Sequence, residues 1–143
     1  MAILHTGRER ASSSTNAAWV EALSDPAGQE QMERKVEAAY LYREALRLRD
    51  WAGVGAAIEE YRDARTTLCE DYMTGAVEMD RAAREAGGAV FPLGAGGGGG
   101  VMVYHSDPAE LSGLLKTLGE TYREIRFRLR ATGHDFVNLE GWG

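Results

Sequence analysis

The alternation of apolar and polar positions divides the chain into one short strand, four helices, two strands around a glycine run, a further helix and a terminal hairpin. Residues 2–5 form an apolar run closed by Thr6-Gly7, which predicts a strand entering a loop. Ser12, Ser13 and Ser14 offer N-cap oxygens ahead of Ala17, Ala18, Trp19 and Leu23, so a short helix is predicted there, stopping before Asp25-Pro26. Asp25 and Pro26 then start a second helix, because the N–H that proline lacks has no partner at a first helical position. Met32, Val36, Ala39, Tyr40 and Leu46 keep roughly a 3.6-residue period up to Arg49. Asp50 is placed to cap a third helix carrying Val54, Ile58, Tyr61, Leu68 and Tyr72 inward. These two helices are expected to form an antiparallel hairpin. Thr74 is expected to open a fourth helix with Met79, Ala82, Ala83 and Ala86 inward, closed by Gly87-Gly88.

After Gly88 the pattern changes. Residues 89–93 read as a strand, residues 94–100 as a loop, and residues 101–105 as a compact apolar strand. Asp107-Pro108-Ala109-Glu110 puts an N-cap acid, a first-turn proline and a glutamate in capping-box order, ahead of an inward stripe of Leu111, Leu114, Leu115 and Leu118. Ile125, Phe127 and Leu129 alternate with Glu124, Arg126, Arg128 and Arg130, the pattern of a strand with one buried face. Residues 131–133 turn into a last strand through Phe136, Val137 and Leu139. Short strands mixed with helices and a closing hairpin predict an α+β fold, with helices packed on one face of an antiparallel sheet.

Composition narrows this picture. The 143 residues carry no repeat and no interdomain linker, so a single domain over residues 1–143 is expected. Sixteen Lys and Arg against 22 Asp and Glu give a net charge of -6, which argues against a general nucleic-acid binder. Residues 86–104 are uncharged, but eight of these 19 are glycine, which makes a membrane span a poor reading. One cysteine, Cys69, supports neither a disulfide nor a cysteine metal cage, and the reading is of a cytoplasmic protein.

The candidate chemistry lies in residues 94–100, where six of seven residues are glycine. Each glycine loses more backbone entropy on ordering than other residues do, so the run implies positive φ angles or close backbone approach. A row of N–H donors is a natural cradle for phosphate oxygens, whereas the bland alternative is a flexible linker. Gly94, Gly96 and Gly99 satisfy G-x-G-x-x-G, yet a strand follows at Val101 where a dinucleotide fingerprint must open a helix. No Lys-Ser or Lys-Thr follows, so a P-loop is excluded as well.

Gly-Ala-Gly-Gly-Gly-Gly between strands, preceded by Ala-Ala-Arg-Glu-Ala-Gly-Gly and followed by an Asp-Pro-started helix, resembles the third motif of the GHMP kinases. The resemblance is closest to the sugar-phosphate branch typified by D-glycero-D-manno-heptose 7-phosphate kinase. Leu4-His5-Thr6-Gly7-Arg8-Glu9-Arg10-Ala11-Ser12 is similar to the strand and Thr-Gly-x-x-Arg-x-Ser segment of that branch. The resemblance runs from Ile3 to Leu139 and covers only the family's C-terminal half. It implies a ferredoxin-like α+β domain beside a nucleotide-binding half, with ATP and Mg bound only in that assembly.

On this resemblance Gly94, Ala95, Gly96, Gly97, Gly98 and Gly99 contact the cofactor, and Thr6, Gly7, Arg10 and Ser12 the phosphorylated sugar, with Arg10 best suited to pair a phosphate. The family's ATP loop, of Pro-x-x-x-Gly-Leu-Gly-Ser-Ser-Ala type, and its catalytic Asp have no counterpart here, so the chain is not expected to be a kinase alone. Its implied partner is an N-terminal half. Phe91-Pro92-Leu93 stands where the family usually has Lys-x-x. The alternative is a non-catalytic module that keeps the fold and binds a small molecule or a protein.

The remaining candidates have plainer readings. His5, His105 and His134 lie at no metal-ligand spacing and suit local hydrogen bonds, so no metal site is expected. Trp19, Trp51 and Trp142 are too far apart in sequence to argue a stacking platform. Tyr40, Tyr61 and Tyr72 fall on inward stripes and read as core, and Cys69 as a small packing residue. Arg126, Arg128 and Arg130 read as a solvated strand face.

Overall fold

The computed structural model describes residues 1–8 and 12–127, with the side chains of 12–16 left aside. In chain order it contains β1 (Ala2–His5), α1 (Ser12–Ala22), α2 (Pro26–Leu48), α3 (Trp51–Leu68), a 3-10 turn (Glu70–Met73), α4 (Val77–Glu85), β2 (Ala89–Pro92), β3 (Gly100–Tyr104), α5 (Pro108–Leu118) and β4 (Arg123–Ile125). The strands form one antiparallel sheet in the order β2-β3-β1-β4. Register places Leu4 opposite Val101, and Val90 opposite Val103.

The pleat sorts these strands into two faces. Leu4, Val90, Val101 and Val103 share a core with Met79 and Ala83 of α4 and Leu114 and Leu118 of α5. This matches the expected α+β pattern of helices on an antiparallel sheet, but the expectation of helices on one face alone is corrected by a second pair on the opposite face. Ala89, Phe91, Met102 and Tyr104 alternate to the other side, where Ala45 and Tyr42 of α2 and Val54 and Ile58 of α3 meet them. The α2–α3 hairpin thus sits over the β2–β3 end, and the Tyr104 hydroxyl donates to the Trp51 carbonyl at 2.6 Å. Burying each such aliphatic side chain contributes about 1.5–3 kcal/mol before entropy is counted.

The element boundaries follow from capping chemistry. The Asp25 carboxylate accepts from Ala27 N, Asp50 from Gly53 N, and Asp107 from Ala109 N. Arg49 takes a left-handed φ of 58°, which lets Asp50 N donate to the Ala45 carbonyl and turn the chain straight into α3. The expected capping box on α5 closes differently: the Asp107 N–H donates to His105 Nδ1 at 2.9 Å, not to Glu110. His105 Nε2 lies 2.9 Å from the Ala86 carbonyl, so the same ring bridges the end of α4 to the start of α5.

Four further expectations need correction. Tyr72 belongs to the 3-10 turn rather than to α3, because Cys69 is extended at φ -155° and stops the helix. The fourth helix opens at Val77, since residues 74–76 follow the 3-10 turn. Tyr40 is 58% exposed and Val36 and Leu46 are exposed with it, whereas Ala38 and Ala45 are buried. The small residues let the two helices approach closely, and this rotates the larger side chains outward. Ile125 and Phe127 are 37% and 41% exposed and all three residues of β4 are exposed, so β4 lacks the buried face its alternation suggested. The predicted last strand through Phe136, Val137 and Leu139, and His134, Arg128, Arg130 and Trp142, lie outside the described residues.

Candidate functional site

The glycine loop leaves β2 at Leu93 and rejoins the sheet at β3, with Leu93 N donating to the Gly100 carbonyl across its base at 2.9 Å. Gly94, Gly96, Gly97 and Gly99 all have positive φ, from 64° to 81°. This is the left-handed region that side chains rarely adopt, so the glycines serve a specific path and do not form a linker. At Gly96 a Cβ would overlap the Tyr72 ring, and at Gly98 it would lie 2.9 Å from the Arg8 carbonyl. The loop is therefore packed on both sides.

Three segments hold it. Gly97 N donates to the Tyr72 carbonyl at 2.7 Å, and Gly75 approaches Gly98 backbone to backbone. On the other side Gly99 N donates to the Arg8 carbonyl and Thr6 N donates to the Gly99 carbonyl, both at 2.9 Å. From below, Arg65 Nη2 donates to the Gly94 carbonyl at 2.9 Å, and the Tyr72 hydroxyl donates to the Pro92 carbonyl at 2.7 Å. The N–H groups of Gly94, Ala95 and Gly98 donate to no protein acceptor among the described residues.

The chain after β1 is itself a tight turn. Gly7 (φ 74°) donates from its N–H to His5 Nδ1, and Arg8 N donates to Thr6 Oγ1 at 3.2 Å. Thr6 and Gly7 are thus brought to the glycine loop, together with Arg8, whose side chain is exposed. Arg10 lies outside the described residues. Ser12 opens α1, with its side chain not described.

Beneath the loop lies a cation and aromatic cluster that the sequence reading missed. The Arg65 guanidinium stacks on Trp19 at 4.1 Å and on Tyr72 at 4.2 Å, and Lys35 Nζ lies 4.7 Å from the same Trp19 ring. Burial, reinforced by the neighbouring Arg65 charge, pushes the Lys35 pKa down. Burial drives the Tyr72 hydroxyl well above its ordinary value, partly opposed by Arg65. Tyr61 packs edge-on against Phe91, with ring centroids 5.1 Å apart. Far apart in sequence, Trp19, Tyr61 and Tyr72 converge only in the fold. The available sequence signal was Arg65 four residues after Tyr61 on one helix, a spacing that brings the two side chains together.

Among the described residues no group of three or more His, Cys, Asp or Glu is arranged to hold a metal ion, and no helix is long and apolar enough to cross a membrane. An apolar cavity of about 300 Å³ lies between the hairpin and the sheet, lined by residues including Tyr61, Phe91, Leu93 and Met102.

No protein-family model matches the chain, and no curated protein matches it. Two solved structures share its fold. A Lin0012 protein from Listeria innocua superposes with a TM-score of 0.76 at 17% identity, over 89% of this chain and 38% of that one. The mevalonate kinase of L. major, solved in complex with R-mevalonate, superposes with a TM-score of 0.70 at 14% identity, over 86% of this chain and 40% of that one. This chain thus spans about two-fifths of either neighbour's length. The likeness is one of fold: this chain has a GHMP kinase-like fold, shared with part of a mevalonate kinase.

Proposed function

We propose that this chain is the C-terminal part of an ATP-dependent GHMP-type kinase acting on a sugar or sugar phosphate. The glycine loop carries the proposal: it is pinned on three sides while the N–H groups of Gly94, Ala95 and Gly98 stay unengaged among the described residues. Preorganised backbone donors suit phosphoryl transfer, which depends on positioning and on stabilising spread negative charge. These amides fit phosphate oxygens of ATP. Mg would take its ligands from the phosphates and from the other half, since no acidic cluster stands at the loop among the described residues. Thr6, Gly7, Arg10 and Ser12 would face the phosphorylated sugar, joined to the loop through Thr6 N and the Arg8 carbonyl. The catalytic base and the ATP loop would come from an N-terminal half in the same polypeptide or in a separate one.

Reconstitution tests this reading. The chain is combined with a GHMP N-terminal half carrying the Gly-Leu-Gly-Ser-Ser loop and assayed with ATP against sugars and sugar phosphates. Turnover in the mixture and in neither half alone is expected, with Arg10→Ala raising KM for a phosphorylated sugar. A stable complex that transfers no phosphate would leave the chain a binding module.

A further inference from the structure

Arg65 is 5% exposed, and no carboxylate pairs with it among the described residues. Arg62, one turn earlier on α3, shows the usual alternative: at 1% exposure it is neutralised by Asp63 and Asp80, both within 2.8 Å. Arg65 instead directs its charge at one peptide carbonyl, that of Gly94, while its Nε is buried without a partner. Trp19 and Tyr72 fix the plane of the guanidinium.

The bond has a geometric consequence. A trans peptide is planar with its C=O and N–H opposed, so holding the Gly94 carbonyl toward Arg65 turns the Ala95 N–H the other way. That N–H has no protein acceptor among the described residues. Around Gly94 nothing lies within 4 Å of where a Cβ would stand, and the Arg65 donor makes the one hydrogen bond of this peptide among the described residues. We infer that Arg65 is a positioning residue: through the Gly94 carbonyl it sets the Gly94–Ala95 peptide and presents the Ala95 N–H to a phosphoryl oxygen. The inference rests on reading the loop as phosphate-contacting. It makes α1, through Trp19, a part of the site. Lysine has no planar fork to sit between two rings and reach the carbonyl, so it should substitute poorly.

The test uses the full chain as wild type, Arg65→Met, Arg65→Lys and Trp19→Leu, with tripolyphosphate as the probe and backbone amide NMR as the readout. Tripolyphosphate is expected to shift the Ala95 and Gly98 amides of the wild type. In Arg65→Met the Ala95 shift should vanish and affinity fall about tenfold, the loss of one oriented donor, while the Gly97 amide stays protected. Arg65→Lys should recover only part of this, and Trp19→Leu should weaken binding in the same direction. Wild-type binding by Arg65→Met overturns the inference. Should Arg65→Met fail to fold, unchanged binding by Trp19→Leu overturns it. If the wild type ignores tripolyphosphate both alone and combined with a GHMP N-terminal half, the phosphate reading fails. The positioning role is then judged on the ligand-free Gly94 carbonyl and Ala95 amide shifts, whose identity in wild type and Arg65→Met would end it.

Discussion

At Gly96 a positive φ of 81° coincides with a Cβ position occupied by the Tyr72 ring, whereas Gly94 has a φ of 64° and open space. The two substitutions should therefore separate conformational strain from clash. Gly94→Ala is expected to cost about 1–2 kcal/mol, the left-handed penalty alone. Gly96→Ala should cost clearly more, read as a lower denaturant midpoint, and equal midpoints would contradict the described packing. Tyr72 gives a pH prediction. Its folded pKa is raised above the ordinary value of 10, so the neutral form favours the fold; this stability is complete below pH 10 and is lost as the unfolded chain ionises above it. Stability should fall between pH 10 and 11 with a slope that Tyr72→Phe reduces, measured by urea unfolding. The glycine run was legible in the sequence because six glycines in seven residues have few physical excuses. Arg65 was not, because an arginine on a helix reads as surface until the fold brings Trp19 and Tyr72 against its guanidinium.

Helix caps were the most legible elements, since Asp25, Asp50 and Asp107 each act on the few residues beside them. Tertiary packing overrode the rest. The large apolar residues of α2 suggested an inward stripe, but Ala38 and Ala45 make the contact with α3 and leave Tyr40 outside. Likewise β4 alternates correctly, yet its burial depends on a covering layer that local sequence does not encode. The glycine loop also depends on how α3 and α4 are joined, since the turn between them carries Tyr72 and Gly75. Arg62 Nη1 of α3 donates to Asp80 of α4 at 2.7 Å, and Arg84 Nε donates to the other oxygen of the same carboxylate at 3.0 Å. Removing the acid leaves a buried guanidinium with Asp63 as its nearest support. Asp80→Ala is expected to destabilise the chain by about 1.5–3 kcal/mol, a charged hydrogen-bond loss, seen as a lower denaturant midpoint. A change within error would mean that Asp63 alone suffices.

For the whole molecule, the likeness to two solved structures extends over 38% and 40% of their chains; the proposed function makes the glycine loop one wall of a larger site. Under the proposed function, the N-terminal half would cover apolar residues that are exposed here. Ile125 at the end of β4 and Phe127 just beyond it, and Leu48 and Trp51 where α2 meets α3, are exposed. The central claim, that this fold works only together with a nucleotide-binding half, is tested most directly by isolating the protein from its native host and identifying what accompanies it stoichiometrically. The account predicts a segment carrying a Gly-Leu-Gly-Ser-Ser loop, in a bound polypeptide or in the same longer chain, and ATP-dependent phosphorylation of a sugar or sugar phosphate by that material. A folded chain of residues 1–143 recovered without such a segment would contradict the account.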